Sequence, residues 1–289
     1  MEIQLRNIEF SDKEKIDTIR KKYGHTTSSH AFQSLFIWKD DMQLQIHIED
    51  DFFVAKSALE HDNEWFFPCG SKEKIKSFLD SKSGEDLILR YMRESDVALL
   101  EELFPGRYEV EECHGDDEYI YSTPEQIELK GKKLRTVRNH ISRVKRDHEL
   151  RYESFTEENM PLVMKVCDAW VRKSTENSSL QDMTASDLLM NYRDELDVMG
   201  VLVWVDEEPY AVVAGFPLSE DIFDMAMAKQ VDTLSGLTTF AKYAMYTTLP
   251  EQYTIVNAEE DLGISGLRTL KQQMGPIGKN LMFKAQSVR

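Results

Sequence analysis

The chain has 289 residues, of which 41% are hydrophobic and 30% charged, with only 13 Gly and 8 Pro. This composition excludes disordered, collagen-like and low-complexity proteins, and it permits one large domain or two smaller ones. No apolar run reaches the roughly 20 residues of a membrane-spanning helix. Met1–Phe10 lacks the apolar segment of a secretory signal, and three cysteines fit a reducing compartment, so we expect a cytoplasmic protein.

The chain is acidic overall but contains one basic segment. Its formal net charge of −17 disfavours binding of nucleic acid or anionic membranes to most of the surface. Between Lys130 and Arg151, nine Lys or Arg accompany only Asp147 and Glu149, a local charge of +7 that leaves −24 elsewhere. Such a segment is either a partner site or a solvated helix that balances acidic neighbours.

The first 129 residues predict a mixture of strands and helices. Ser11 and Glu14 form a capping-box pattern at the start of a helix to about Lys22. Two apolar runs on either side of residues 49–51 predict a β-hairpin. The predicted strands are Ile3–Ile8, Leu44–Ile48, Phe52–Ser57, Glu64–Pro68, Asp86–Tyr91 and Tyr108–Cys113, and the further helices are Ala31–Lys39, Ser71–Leu79 and Ser95–Phe104.

The basic segment predicts a long helix over Lys130–Asp147. Its apolar stripe has helical spacing and consists of Leu134, Val137, Ile141 and Val144. The opposite face is basic and could neutralise phosphates of a tRNA or an anionic lipid. The candidate substrate-binding residues there are Lys132, Arg135, Arg138, Asn139 and Arg143. The alternative is a surface helix whose cations pair with acidic neighbours.

The second half repeats the mixture of elements. The predicted strands are Arg151–Phe155, a hairpin of Gly200–Val205 and Tyr210–Phe216, Ile222–Ala228, Tyr253–Val256 and Asn280–Lys284; the helices are Glu157–Lys173, Ser186–Leu196, Leu237–Thr248 with Ser235 as its cap, and Ile264–Met274. We expect a mixed sheet in each half, with parallel strands at 222–228 and 253–256. The predicted domains are 1–129, a basic linker helix over 130–150, and 151–289.

Three segments carry a resemblance to a known family. Asn257–Lys271 (NAEEDLGISGLRTLK) resembles the Asp-Leu-Gly…Gly-Leu-Arg…Lys block of the phosphatidylglycerol lysyltransferase catalytic domain. Gly131–Arg143 resembles the basic linker helix of that domain, and Phe32–Asp40 resembles an N-terminal motif of uncharacterised proteins grouped with it. The order of elements after Arg151 is similar to the GNAT acyltransferase fold, and two such domains in tandem resemble this group and the Fem peptidyltransferases. The resemblance implies an α+β protein of two GNAT-like domains.

The resemblance also implies an activity and a site. It suggests transfer of an aminoacyl group from aminoacyl-tRNA to an amine or hydroxyl acceptor, a lipid or a small molecule. Arg268 and Lys271 would contact the acceptor or the developing negative charge, since a fixed cation lowers the barrier through an oxyanion. The alternative is that both are cations favoured by the helix dipole. We expect their stems to flank the apolar stripe of their helix and their charged groups to reach the rim of a cleft.

Carboxylates and tyrosines complete the candidates. Glu259 or Asp261 could deprotonate an attacking ammonium, or simply balance a helix dipole. Asp224 is a second carboxylate candidate, and Tyr243 or Tyr246 could protonate a leaving group, although such tyrosines more often belong to the core. Motifs for metal ligands or for a serine or cysteine nucleophile are missing, so no metal is expected.

Coenzyme A is the alternative donor. In ordinary acetyltransferases the pyrophosphate loop reads R/Q-x-x-G-x-G/A, whereas this chain has Thr233 and Ser235 at the small-residue positions and adds Asp232. Side chains there hinder the close approach of pyrophosphate to backbone N–H groups. Acetyl-CoA is therefore weakly supported. Two alternatives remain open, a coenzyme A-dependent N-acetyltransferase and a non-catalytic binding protein on a GNAT scaffold.

Overall fold

The chain packs as two compact units. The computed structural model describes residues 2–59, 63–175 and 183–288. Unit 1 consists of Met1–Glu118 and Asn280–Arg289, and unit 2 consists of Tyr119–Lys279. This division differs from the predicted boundaries at 129 and 151. Residues 119–150 pack with the second unit, and residues 280–289 return to the first, because strands in both segments complete those sheets.

Unit 1 is built on a mixed sheet. Its strands are β1 (Gln45–Glu49), β2 (Phe52–Ser57), β3 (Glu64–Phe66), β4 (Cys69–Gly70), β5 (Ile88–Met92), β6 (Tyr108–Glu112) and β14 (Phe283–Ser287), and its helices are α1 (Lys13–Lys22), α2 (Phe32–Ile37), α3 (Lys72–Ser81) and α4 (Glu94–Leu103). The strand order is β1-β2-β3-β5-β14-β6, with β4 paired to β2. Strands β3 and β5 run parallel, and β14 pairs antiparallel with both β5 and β6.

Unit 2 is built on a second mixed sheet. Its strands are β7 (Glu118–Ser122), β8 (Leu150–Ser154), β9 (Met199–Val205), β10 (Glu208–Pro217), β11 (Ile222–Gln230), β12 (Ile255–Asn257) and β13 (Gly278–Asn280), and its helices are α5 (Thr123–Glu128), α6 (Arg135–Asp147), α7 (Met160–Thr175), α8 (Met183–Asn191), α9 (Leu237–Thr248) and α10 (Ser265–Gln273). The strand order is β13-β7-β12-β11-β10-β9-β8. The parallel pair is β11 with β12, as the sequence predicts.

The core of unit 2 lies between its sheet and helices α6 and α9. The buried face of α6 presents Val137, Ile141 and Val144, with Leu134 just before its first turn. Helix α9 packs against both α6 and strands β8 to β11. Eight of its twelve residues are buried, which is typical of a helix enclosed by neighbours. The interior of unit 2 is therefore continuous from the sheet through α9 to α6.

Most predicted elements are present, and the α+β class with a mixed sheet in each half is confirmed. The predicted strand Ile3–Ile8 is wrong, because only Arg6 forms a bridge, to Ile46. The predicted cap Ser11 is also wrong. The Asp12 carboxylate accepts the Glu9 amide at 2.9 Å and is fixed by Arg6, so a short 3₁₀ turn begins earlier.

Two further predictions fail at helix ends. Helix α6 begins at Arg135, so Lys132 lies in a turn before the helix. Helix α9 is capped by Gly236 rather than Ser235, with a left-handed φ of 86° that favours glycine. A Cβ atom on Gly236 would lie 2.6 Å from the His140 carbonyl oxygen, so the start of α9 packs directly on α6.

Candidate active site

The centre of unit 2 is the point where β11 and β12 separate. They pair over three residues only, ending with Asp224 opposite Asn257. Beyond Asn257 the chain continues along β7, where the Ala258 amide donates to the Tyr119 carbonyl and the Tyr119 amide donates to the Glu259 carbonyl, both at 3.0 Å. The two parallel strands therefore diverge, and loop residues 258–261 line the side of the gap next to β7.

A bulge in the neighbouring strand shapes the same region. The register of β10 against β11 shifts between Ala214 and Phe216. A Cβ atom on Gly215 would lie only 1.7 Å from the Asp224 carbonyl oxygen, which no real side chain permits. Glycine at this position thus allows the close strand approach that sets the buried Asp224 at the start of the gap.

Asp261 is a buried, fully bonded carboxylate. It accepts two hydrogen bonds from the Arg268 guanidinium, both at 2.9 Å, one from the Tyr119 hydroxyl at 2.7 Å and one from the Gly263 amide at 2.9 Å. Although burial opposes ionisation, these donors lower the pKa of Asp261 to about 2. Asp261 and Arg268 therefore form a structural anchor, and Asp261 is a poor proton acceptor at neutral pH.

Lys271 lies in the interior rather than at a rim. Its ammonium donates to the carbonyls of Ala258 and, at 3.1 Å, of Glu259, and it lies 5.7 Å from the centre of the Tyr119 ring. The predicted arrangement of α10 is thus wrong at Lys271, which is expected at a cleft rim, and at Ile264, which is expected to begin the helix. Lys271 occupies the buried face with Met274, while Ile264 precedes the helix and is 55% exposed. The spacing of residues 267, 271 and 274 places them on one helical face.

The charge state of Lys271 is set by two opposing effects. Burial lowers the pKa of Lys271, while the carboxylates of Glu259, Glu260, Asp224 and Asp261 favour its charged form. The Tyr121 hydroxyl also donates to the Lys271 carbonyl at 2.7 Å, which fixes this turn of α10 to β7. The result is a cation held in an interior position by backbone groups and surrounded by acids.

Lys242 is a site residue that the sequence did not single out. It lies on α9, is only 8% exposed, and makes no hydrogen bond or ion pair with any residue that the structure describes. Burial and the nearby charge of Lys271 lower the pKa of Lys242 to about 7, with Glu259 acting in the opposite direction. No signal in the sequence distinguishes this lysine from any other lysine on a helix.

The two tyrosine candidates differ in position. Tyr246 is fully buried on α9, where burial and the neighbouring Tyr121 raise its pKa well above the ordinary value. Tyr243 is half-buried and packs against Phe240, with Lys145 of α6 over its ring. Tyr246 therefore lies among the site residues as a neutral phenol, while Tyr243 belongs to the contact between α9 and α6.

The basic face of α6 divides into exposed and structural cations. Lys132, Arg135, Asn139 and Arg143 are exposed, and Arg143 donates to Ser235 at 3.5 Å. Arg138 instead donates to the carbonyls of Leu129 and Gly131, closing the end of α5. Four of the five predicted residues are thus accessible to an anion, and Arg138 is engaged by the backbone.

The loop that would hold a pyrophosphate is occupied by protein. Asp232 forms an ion pair with Lys173 and accepts the Thr233 amide. The start of α9 faces the His140 carbonyl oxygen. Both features place negative groups of the protein where the backbone of this loop would otherwise face a phosphate.

Other classes of site receive no support within residues 2–59, 63–175 and 183–288. No group of three or more His, Cys, Asp or Glu is placed to hold a metal ion. The helices there are all too short or too polar to cross a bilayer. Two cavities lie elsewhere. One of about 410 Å³ is lined by Asp86, Glu109 and residues 286–288, and one of about 550 Å³ is lined by Arg193, Asp194, residues 197–199, Pro217 and Tyr253.

Comparisons with known proteins identify a family and a shared fold. A family model described as phosphatidylglycerol lysyltransferase, C-terminal, matches residues 20–278. A conserved protein of unknown function from Bacteroides thetaiotaomicron VPI-5482 is 23% identical, with a TM-score of 0.89 over 99% of this chain and 100% of that one. No curated protein sequence matches.

Two named structures share the fold. L-PGS from Bacillus licheniformis has a TM-score of 0.67 at 14% identity, covering 96% of this chain and 92% of that one. FemX has a TM-score of 0.60 at 10% identity, covering 99% and 98%. The predicted α+β architecture, two mixed sheets of the tandem GNAT-like kind, is confirmed.

Proposed function

We propose that this chain, which belongs to the family of phosphatidylglycerol lysyltransferase C-terminal domains, moves an aminoacyl group from aminoacyl-tRNA to an amine or hydroxyl acceptor. The observation that carries the proposal is the buried ammonium of Lys271 where β11 and β12 diverge. Attack on an ester carbonyl produces a tetrahedral oxyanion. A cation fixed in advance at a site poor in water stabilises that charge without reorganisation.

The hydrogen bonds of Lys271 suit this role. An ammonium has three N–H donors, and two are directed at the carbonyls of Ala258 and Glu259. The third is available to an oxyanion. The Asp261–Arg268 anchor holds the start of α10 against Tyr119, so the direction of the Lys271 side chain is set by groups that do not react. Positioning and electrostatics would then supply most of the catalysis.

Two surface features support the choice of donor and acceptor. The exposed cations Lys132, Arg135 and Arg143 offer phosphate contacts in an otherwise acidic protein. Leu262 and Ile264, which flank the loop after Asp261, are 60% and 55% exposed. Exposed aliphatic side chains beside the site favour a lipid or another amphiphile as acceptor, in peripheral contact with an anionic lipid surface. Coenzyme A is a weaker candidate because Asp232 and the His140 carbonyl occupy its loop.

The test uses the purified full chain and total tRNA charged with radiolabelled amino acids. Phosphatidylglycerol vesicles and a soluble primary amine are offered separately as acceptors. We expect label to leave tRNA and enter the lipid phase, with deacylated tRNA plus free amino acid as the blank. Label transferred only to the amine would remove the lipid acceptor, and no transfer to either would remove the proposal. Titration with acetyl-CoA should give a dissociation constant no tighter than high micromolar, and submicromolar binding would favour the acetyltransferase instead.

A further inference from the structure

We propose that Lys242 is the proton acceptor of the transfer reaction, taking the proton of the attacking acceptor group while Lys271 supplies the positive charge. This inference rests on the proposed function, since it assigns a second role within the same site. It starts from an anomaly in α9, where a lysine that is only 8% exposed lies among the buried residues Phe240, Ala241, Ala244 and Met245 of the same helix.

A lysine in this environment is costly to keep unless it has a purpose. Taking an ammonium out of water is unfavourable unless partners replace the lost hydration. Lys271 obtains such partners from two carbonyls, whereas the part of the chain that the structure describes offers Lys242 none. An apolar residue of similar length would pack at this position at less cost. The amine of Lys242 thus has an uncommitted lone pair in its neutral form.

The charged groups around Lys242 are few and come from defined elements. Lys271 of α10 opposes a second positive charge, and Glu259 of the loop after β12 partly offsets it. From α6, His140 bonds to Thr239 and Lys145 lies over the Phe240 ring. From β11, Asp224 acts on Lys271. The two lysines are therefore unequal: the Lys271 ammonium has two carbonyl partners, whereas burial and the charge of Lys271 lower the pKa of Lys242 to about 7, so that about half of Lys242 is neutral at that pH. Environments that separate the pKa values of two neighbouring groups are how acid and base roles are assigned in enzymes.

The proposed step balances as follows. The N–H or O–H group of the acceptor attacks the ester carbonyl carbon, a C–N or C–O bond forms, and the proton passes to the lone pair of Lys242 Nζ. The oxyanion is stabilised by the third N–H of Lys271. Collapse breaks the ester C–O bond, and the proton on Lys242 passes to the ribose oxygen that leaves. The amine is neutral again at the end, and no other reactant is needed.

The first measurement is the titration of Lys242 itself. In protein labelled with ¹³C-lysine, the Lys242 signal is assigned by its loss in Lys242→Met. We expect it to titrate near pH 7, whereas surface lysines titrate near 10.4. A Lys242 signal that titrates near pH 10 would overturn the inference whether or not the protein transfers aminoacyl groups.

The second measurement is the pH dependence of transfer, using the donor and acceptor that support it. In wild type we expect kcat/KM to fall below about pH 7 as Lys242 becomes protonated. Lys242→Met and Lys242→Arg should both lower kcat/KM by about 10²–10⁴-fold and abolish that limb, since a guanidinium accepts no proton. Lys229→Met is the matched control. Lys229 is equally buried but lies over Trp170. The Lys229→Met variant should keep the wild-type kcat/KM and its decrease below about pH 7.

The outcomes separate the two proposals. Wild-type rate and pH profile in Lys242→Met would overturn the inference and leave aminoacyl transfer standing. A Lys242 signal that titrates near pH 7 in a protein that transfers from no donor would overturn the proposed function, and the base role with it.

Discussion

The buried charges of the two units are treated differently. In unit 1, Asp12 bonds to Arg6, Asp96 to Arg93 and Glu64 to Arg90, each as a carboxylate with an arginine within 3.2 Å. In unit 2, Asp261 has Arg268, whereas the buried Lys271 donates to backbone carbonyls and the buried Lys242 has no bonded partner among the described residues.

This difference indicates which buried polar groups maintain structure and which are available for chemistry. A fully bonded ion pair fixes a local geometry and has no free capacity. A cation with a spare donor, or an amine with a spare lone pair, reduces stability and is retained where it acts on something else. By this criterion the bonded carboxylates Asp12, Asp96 and Glu64 of unit 1 maintain structure, whereas Lys271 and Lys242 of unit 2 are candidates for chemistry.

The largest effect on transfer should come from replacing Lys271 in unit 2. Lys271→Met should raise the barrier to transfer by about 2.7–4 kcal/mol, since one donor to the oxyanion is lost. The free energy of unfolding should change by less than about 2 kcal/mol, because methionine retains most of the packing. Single-turnover transfer and urea unfolding measure the two quantities, with Lys229→Met as control. A variant that transfers at the wild-type rate would remove Lys271 from the chemistry.

The stability of the two units should respond differently to mild acid. The rings of His25 and His30 in unit 1 are in contact, with centroids 4.0 Å apart, and burial lowers both pKa values, that of His30 to about 4. The folded state therefore excludes protons that the unfolded state binds below about pH 6.5. Stability should fall between pH 6.5 and 4, by about 3 kcal/mol for His30 alone.

Unit 2 should begin to lose stability at a lower pH than unit 1. Asp261, with its pKa lowered to about 2, contributes stability that is lost only as pH falls from about 4 to 2. Hydrogen exchange at pH 7, 5.5 and 4.5 should show unit 1 losing protection first. His30→Gln keeps a donor for the Phe67 carbonyl but does not titrate, so it should flatten the response. Equal loss of protection in both units would contradict the comparison.

Lys242→Met should stabilise the protein. Because the pKa of Lys242 is lowered to about 7, the folded state opposes a charge that the unfolded chain carries up to about pH 10. Replacing an uncompensated buried charge should raise the free energy of unfolding by about 1–4 kcal/mol at pH 6. The gain should shrink as pH approaches 10. Urea unfolding at the two pH values measures it, and a destabilised variant would mean that Lys242 has a partner in solution.

The smallest effect distinguishes two arginines of α6. Arg135→Ala should weaken binding of tRNA by about 1 kcal/mol or less and reduce the salt slope by about 1, while leaving stability unchanged. Arg138→Ala should instead lower the free energy of unfolding, since the carbonyls of Leu129 and Gly131 lose their donor. Filter binding at several salt concentrations and thermal unfolding separate these roles. If Arg138→Ala instead weakened tRNA binding and left stability unchanged, Arg138 would be the residue that contacts phosphate.

Local patterns predicted most of the fold. The hairpin of β1 and β2 and the helix from Leu237 to Thr248 follow from period and turn residues, and the parallel pair of β11 with β12 follows from the order of the elements. Strand β7 had a readable signal, with buried Tyr119 and Tyr121 alternating before the cap Ser122. The position of β7 beside β12 could not be predicted, because pairing between strands more than 130 residues apart has no signature in the local sequence.

The site could be predicted only in part, because its geometry also depends on contacts between distant segments. The 257–271 block drew attention to Lys271 and Asp261, but their separate roles depend on contacts with Tyr119 and with loop carbonyls. Lys242 gave no signal as a candidate, since a lysine in a helix is ordinary until the helix is known to be enclosed. Burial was the missing information, and it is a property of the assembled unit rather than of any segment.

The position of β14 has a consequence for the order in which the molecule can be made. The Leu87 amide donates to Ser287 across 200 positions, and β14 lies between β5 and β6 in the first sheet. A ribosome delivers β5 and β6 long before β14, so the nascent first unit waits with two strand edges unpaired while the whole of the second is synthesised. The second unit is continuous in sequence and can fold as it emerges. The later-made unit should therefore mature first, and a chaperone that protects nascent chains should bind mainly to the earlier one.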